Sequence, residues 1–227
     1  MRRQIFKTIF HPVAIISLII ICSLLTYFTG GLGTILGIIM ALIALWAGKF
    51  NWSLFGFSKS NFLETLSNAF IYAVLIYLLF DIIIQPFIEL AWGKIDVSSL
   101  DFIRGDISRY LLFVIMMWAL AAFGEELLYR GYFMKQMAHI LGDHKRAWII
   151  AAAIIGLVFG LAHAYQGISG IISTGIIGFV FGLIFAKNQQ NLLLLVLIHG
   201  IYDMIGLTLI YLDSERVIID HIISLIR

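Results

Sequence analysis

Seven apolar runs, each near the ~20 residues an α-helix needs to cross a hydrocarbon core, take up most of this chain. They fall at 12–28, 32–48, 69–92, 110–138, 147–165, 168–186 and 192–212. The sequence is 62% hydrophobic and 12% charged, with a mean hydropathy of +1.03, so a water-soluble fold would have no surface on which to place it. The expected fold is an all-α polytopic membrane protein, a bundle of seven transmembrane helices in a single membrane domain, 1–227. An eighth span would have to come from Asp213 to Arg227, which Glu215, Arg216 and Asp220 interrupt. Val217, Ile218, Ile222 and Leu225 stand there at helical spacing, which reads as a short amphipathic helix lying at an interface.

The opening MRRQIFK and the run after it resemble a secretory signal. That run is long, no A-x-A-like site follows and a second apolar run begins at once, so a retained first helix is expected. One cysteine, Cys22, excludes a disulfide framework and a thiolate cluster. A net charge of +2, carried by scattered basic residues, excludes a nucleic-acid surface. With the N-terminus in the cytoplasm, Arg2, Arg3, Lys7, Lys49, Lys59, Arg130, Lys135, Lys145, Arg146 and Lys187 fall on the inner side. Only Lys94, Arg104, Arg109, Arg216 and Arg227 fall outside, the asymmetry that orients multi-span proteins. The expected location is a cell membrane, of the bacterial plasma-membrane kind. No internal repeat points to a transporter built from related halves. Gly175, Gly178 and Gly182, and Gly33 with Gly37, form small-residue stripes that predict close helix packing.

An ionisable residue at mid-bilayer costs ~3 kcal/mol on insertion scales and usually faces a partner or a wet cavity. The second half of the chain accepts that cost three times. In FGEELLYRG, Phe123 to Gly131, Glu126 and Arg130 are four apart and pair on one helix face, while Glu125 points elsewhere. In FGLAH, Phe159 and His163 lie one above the other, so the ring walls off the imidazole. In HGIYD, His199 and Asp203 share a face deep in the seventh run. Each has a plain structural alternative: glutamates paired at the inner surface, an interfacial histidine, a His–Asp packing bond. Taken together they supply what amide hydrolysis needs, which is an activated water, a proton shuttle and a donor for developing negative charge.

This ordered set, Glu125-Glu126-x-x-x-Arg130, Phe159-x-x-x-His163 and His199-x-x-x-Asp203, resembles the CPBP family of CAAX prenyl endopeptidases and bacterial Abi-type membrane proteins. The resemblance covers about residues 120 to 206. It implies an intramembrane endopeptidase with a catalytic core over 110–212 and accessory N-terminal helices over 1–109. It further implies that Glu125, as general base, and His163, as its partner, activate water, and that His199 and Asp203 stabilise the oxyanion. Glu126, Arg130 and Phe159 support them. Position 203 departs from the prenyl endopeptidases, which have Asn there; an ionised Asp would repel an oxyanion, so Asp203 is expected to orient and charge His199.

Such a protein takes a peptide or small membrane-protein substrate from the bilayer, with no nucleic acid and no cofactor. Bacterial relatives are linked to bacteriocin self-immunity and to peptide maturation. The mechanistic alternative is a zinc metalloprotease with Glu125, His163 and His199 as ligands, although the spacing is not H-E-x-x-H. Two further classes stay open. One is a proton- or ion-coupled transporter, which Asp81 and Gln85, one turn apart, would suit. The other is a non-catalytic immunity protein that binds a membrane peptide.

Overall fold

A computed structural model describes residues 1–57, 60–188 and 190–226, and among them every regular element is helical. In chain order these are α1 (Arg2–Ile9), α2 (Pro12–Thr29), α3 (Leu32–Ala47), α4 (Phe62–Trp92), α5 (Ile107–Ile140), α6 (Lys145–Ala162), α7 (Gly167–Lys187), α8 (Leu192–Tyr211) and α9 (Val217–Ile226). Six of these are long and apolar enough to cross a membrane: α2, α4, α5, α6, α8, and α7 with the turn before it. The run expected at 32–48 forms α3, which has 16 residues and so falls short of the usual span. The tail forms α9, which docks Ile219 and Ile223 against the far half of α4. The protein is thus a multi-pass helical bundle with six candidate spans instead of the seven or eight expected.

Local chemistry sets the helix boundaries. Asn61 accepts from the amides of Leu63 and Glu64 at 3.1 and 3.4 Å, and Asp106 from Ser108 and Arg109 at 3.1 and 3.0 Å. Asn191 caps α8 through the Leu194 amide, and Pro12 starts α2 where its missing N–H costs nothing. Gly30 ends α2 at φ 68°, a conformation that favours glycine.

The centre of the bundle is α5. Residues 126–134 are buried without interruption, so this helix is enclosed on every side. It packs against α3, α6 and α8, while α4 lies along α8 and α6 along α7. Large apolar residues on the outer faces, such as Ile20, Leu24, Phe70, Leu75, Leu112 and Ile115, are left exposed in the belt where acyl chains would lie.

Two stretches depart from α-helical bonding. Leu78–Ile84 in α4 and Met117–Met134 in α5 are π-helical, bonded i→i+5, a conformation that tends to occur at functional sites. A wider turn advances each residue by less than the ~100° of an α-helix. Glu125 and Glu126 therefore diverge less in direction than α-helical spacing implies.

The glycine stripes act in close packing as expected. A Cβ on Gly37 would stand 2.6 Å from Leu128 Cδ2, and one on Gly182 would stand 2.8 Å from the Ala152 methyl. Outside those stripes, a Cβ on Gly160 of α6 would run into the Ile171 carbonyl.

The charges separate by end. Arg2 bonds the Trp46 carbonyl, and Lys135 bonds Ser53 at the same end of the bundle. At the other end Lys94, Arg104, Arg109 and Arg216 are all ion-paired with acidic residues. Arg130 is not a surface charge of the basic end: it is wholly buried. Lys59 and Arg227 lie outside the described residues.

Candidate active site

The site is built outward from the centre of α5. One carboxylate oxygen of Glu126, Oε1, accepts from Arg130 Nη1 at 2.8 Å and lies 2.8 Å from His199 Nδ1 on α8. Glu126 and Arg130 are both fully buried. The guanidinium also donates to the Gly178 carbonyl on α7 at 3.0 Å and sits over the rings of Phe159 and Phe181, at 4.7 and 5.4 Å. Arg130 therefore ties α5 to α6 and α7, and Glu126 ties α5 to α8. Charge-assisted bonds of this kind hold geometry well in a medium without competing water.

His199 is held from both sides. Its Nε2 lies 3.4 Å from Asp203 Oδ2, one turn along α8. A carboxylate only accepts, so Nδ1 donates to Glu126, and Asp203 stands where it would favour a second proton on Nε2. The Nδ1 contact is short and enclosed. The Nε2 contact is longer than the usual 2.7–3.2 Å and faces open space. Edges of Phe159 and Phe181 close the ring in at 6.2 and 5.6 Å.

His163 does not lie inside a helix. The segment expected to run to 165 stops at Ala162, and His163 caps it. Its Nδ1 lies 2.9 Å from the Phe159 carbonyl. A carbonyl only accepts, so Nδ1 carries the proton, and in the neutral ring Nε2 is the acceptor. The Phe159 ring lies against His163, tilted, at 4.7 Å, as the spacing predicted, and the missing side chain of Gly178 gives that ring its room.

Glu125 is half-buried and accepts no side-chain hydrogen bond among the described residues. The charges of His199, Asp203, Glu126 and Arg130 all act on its carboxyl. Glu125, His163, His199 and Asp203 all line one cavity of about 560 Å³. From there the cavity runs toward Gly30, Val97, Glu215 and Arg216, at the end of the bundle away from Arg2 and Lys135. All four sequence-predicted residues line its wall together with Phe159, while Glu126 and Arg130 are buried behind it.

Two contacts of the site had no signal in the sequence. One is the Glu126–His199 bond, which joins residues 73 apart. The other is the partner of Asp81: this residue, singled out in the sequence with Gln85 and now placed in the π-helical stretch of α4, accepts a 2.8 Å hydrogen bond from the Tyr202 hydroxyl on the cavity wall. Gln85 turns instead to Glu89, donating at 2.8 Å.

Zinc finds no ready donor set here. Among the described residues no three His, Cys, Asp or Glu side chains are grouped to hold a metal ion. His199, one of the three ligands such a site would require, has its Nδ1 bonded to Glu126 and its Nε2 3.4 Å from Asp203.

Residues 107–205 match the model of the Rce1-like family, type II CAAX prenyl endopeptidases. Over this segment the chain is similar to that family, and all three motifs fall inside it, on α5, at the end of α6 and on α8. No curated protein and no solved structure matches the chain.

Proposed function

We propose that this Rce1-like protein hydrolyses a peptide bond of a membrane peptide or small membrane protein by means of a glutamate-activated water. The observation that carries this is the shared cavity, which gathers Glu125, His163, His199 and Asp203 from three helices. Glu125 takes a proton from water while the bare Nε2 of His163 orients it. The resulting hydroxyl attacks the carbonyl carbon, and the negative charge that develops on the carbonyl oxygen meets the Nε2–H of His199. The proton on Glu125 then passes to the leaving nitrogen as the C–N bond breaks.

Asp203 has no direct contact with the oxyanion in this scheme. It holds the charge on His199, and its 3.4 Å contact is loose enough to be exchanged for a bond to substrate. Glu126 fixes the ring from behind, which makes it a positioning residue. No metal takes part, because a zinc ion would require His199 to surrender one of its carboxylate contacts. The helices of 1–109 are accessory to the chemistry but supply cavity wall, with Thr34, Ile35 and Ile38 from α3. The basic end faces the cytoplasm, so the cavity opens toward the opposite leaflet.

Cleavage of a membrane-peptide library by purified wild type, Glu125→Gln and Glu125→Ala, each with and without chelator, tests the scheme. Activity that survives chelator and is lost in both variants supports it. Zinc-restored, chelator-sensitive activity selects the metalloprotease, and undiminished cleavage by Glu125→Ala removes Glu125 from the mechanism. Proton-coupled flux into liposomes without cleavage selects the transporter.

A further inference from the structure

The carboxylates on the cavity wall are not equivalent. Glu215 is paired with Arg104 and Asp203 with His199. Glu125 is assigned to water. Asp81 is left with no basic partner among the described residues and with no role in the chemistry. The Tyr202 hydroxyl bonds Oδ2, and no side chain among the described residues bonds the second oxygen. Among the described residues the only lysine or arginine on the cavity wall is Arg216, which is committed to Glu89 and Asp220. A half-buried carboxylate without a cation on its own chain, beside a cavity that admits a peptide, matches a cation brought by the ligand.

Its position along the chain also matters. Tyr202, which orients Asp81, is the neighbour of Asp203, and Asp81, Asp203 and Glu125 line the same cavity. A cation docked at Asp81 therefore belongs to a residue close to the bond that Glu125 and His199 would break. We propose that Asp81 is a specificity-determining residue, which selects substrates with a lysine or arginine side chain, or a free amino terminus, beside the scissile bond. This rests on the proteolytic reading for the word substrate, but the binding preference stands apart from cleavage.

The test uses the full-length protein in lipid nanodiscs and matched membrane peptides that carry Lys, norleucine or Glu at each successive position in turn. Binding is read by fluorescence anisotropy on a Glu125→Gln background, and cleavage on the otherwise wild-type protein. At one position Lys is expected to bind at least tenfold tighter than norleucine, with Glu weakest. Asp81→Asn, which keeps an acceptor for Tyr202, should shrink that ratio to within twofold, and Asp81→Glu should restore most of it. In cleavage the loss should fall on KM. A Lys preference that persists undiminished in Asp81→Asn, or no preference at any position, overturns the proposal. Asp81-dependent binding without any cleavage by the wild type would sink the protease and leave the cation site standing. Cleavage indifferent to Asp81 would do the reverse.

Discussion

Replacing Arg130 by Met keeps an unbranched side chain of similar length and removes the guanidinium from a site where neither it nor Glu126 touches solvent. Two energy scales compete. A neutral cross-helix hydrogen bond inside a membrane bundle averages ~0.6 kcal/mol in double-mutant cycles. A buried charge deprived of its partner costs ~3–5 kcal/mol. Glu126 would keep only His199 as a counter-charge, so the larger scale applies, and Arg130→Met is expected to lower unfolding free energy by ~3–5 kcal/mol. Glu126→Gln, which strands the guanidinium instead, should cost a similar amount.

The double variant separates this from mere loss of packing. Once both charges are gone, neither is stranded, so Glu126→Gln with Arg130→Met should cost no more than the worse single change, a coupling of at least ~2 kcal/mol. Unfolding in mixed micelles titrated with dodecyl sulfate gives all three values. Activity supplies a second, independent readout. Arg130→Met leaves the Glu126–His199 contact in place, whereas Glu126→Gln weakens it, so kcat should fall much further in Glu126→Gln at comparable stability. Single changes that add to within ~0.5 kcal/mol, or equal losses of kcat, would refute the shared-oxygen arrangement.

Three further outcomes follow from the geometry. Gly160→Ala should destabilise by ~1–3 kcal/mol, because its methyl meets the backbone of α7, while Gly206→Ala, with nothing within 4 Å of the new Cβ, should be near neutral; thermal unfolding compares them. His163→Gln should cut cleavage by at least ~100-fold yet move unfolding little, since its only side-chain bond is to Phe159 at a helix end. The bond from Arg104 holds the Glu215 carboxyl below its ordinary range, and the bond from Arg216 does the same for Asp220. Carboxyls lowered in this way stabilise above their unfolded pKa of ~4, and the contribution is lost as pH falls through the folded value. The protection factors of the α9 amides, which are exchange rates corrected for their intrinsic pH dependence, should therefore fall below about pH 4 and stay level from 5 to 8; a fall beginning near pH 6 would contradict these ion pairs.

Much of the site was legible because membrane helices make polar residues conspicuous. Glu126–Arg130, Phe159–His163 and His199–Asp203 each sit four apart, and a helix turns that spacing into contact whatever else surrounds it. The span count was less legible. The run expected at 32–48 forms the 16-residue α3, whose end is set by the turn at Gly48 and which falls just short of the usual span. Helix type was not legible at all, since nothing in the residues of α5 announces i→i+5 bonding, and the depth of each side chain depends on it.

Partners on other helices follow no spacing rule, and this accounts for the main misreading. From the sequence, Arg130 is enough to explain Glu126, and the need for that carboxylate looks satisfied within one turn of α5. An oxygen has two lone pairs, however, and a buried carboxylate completes its bonds wherever a donor can be reached. The second donor is His199, 73 residues away. The same reasoning extends to Asp81, whose partner Tyr202 lies 121 residues away. In a bundle with so few polar side chains, a buried acid that its own helix leaves incompletely bonded points to a neighbour, and the neighbour that Glu126 and Asp81 both find is α8.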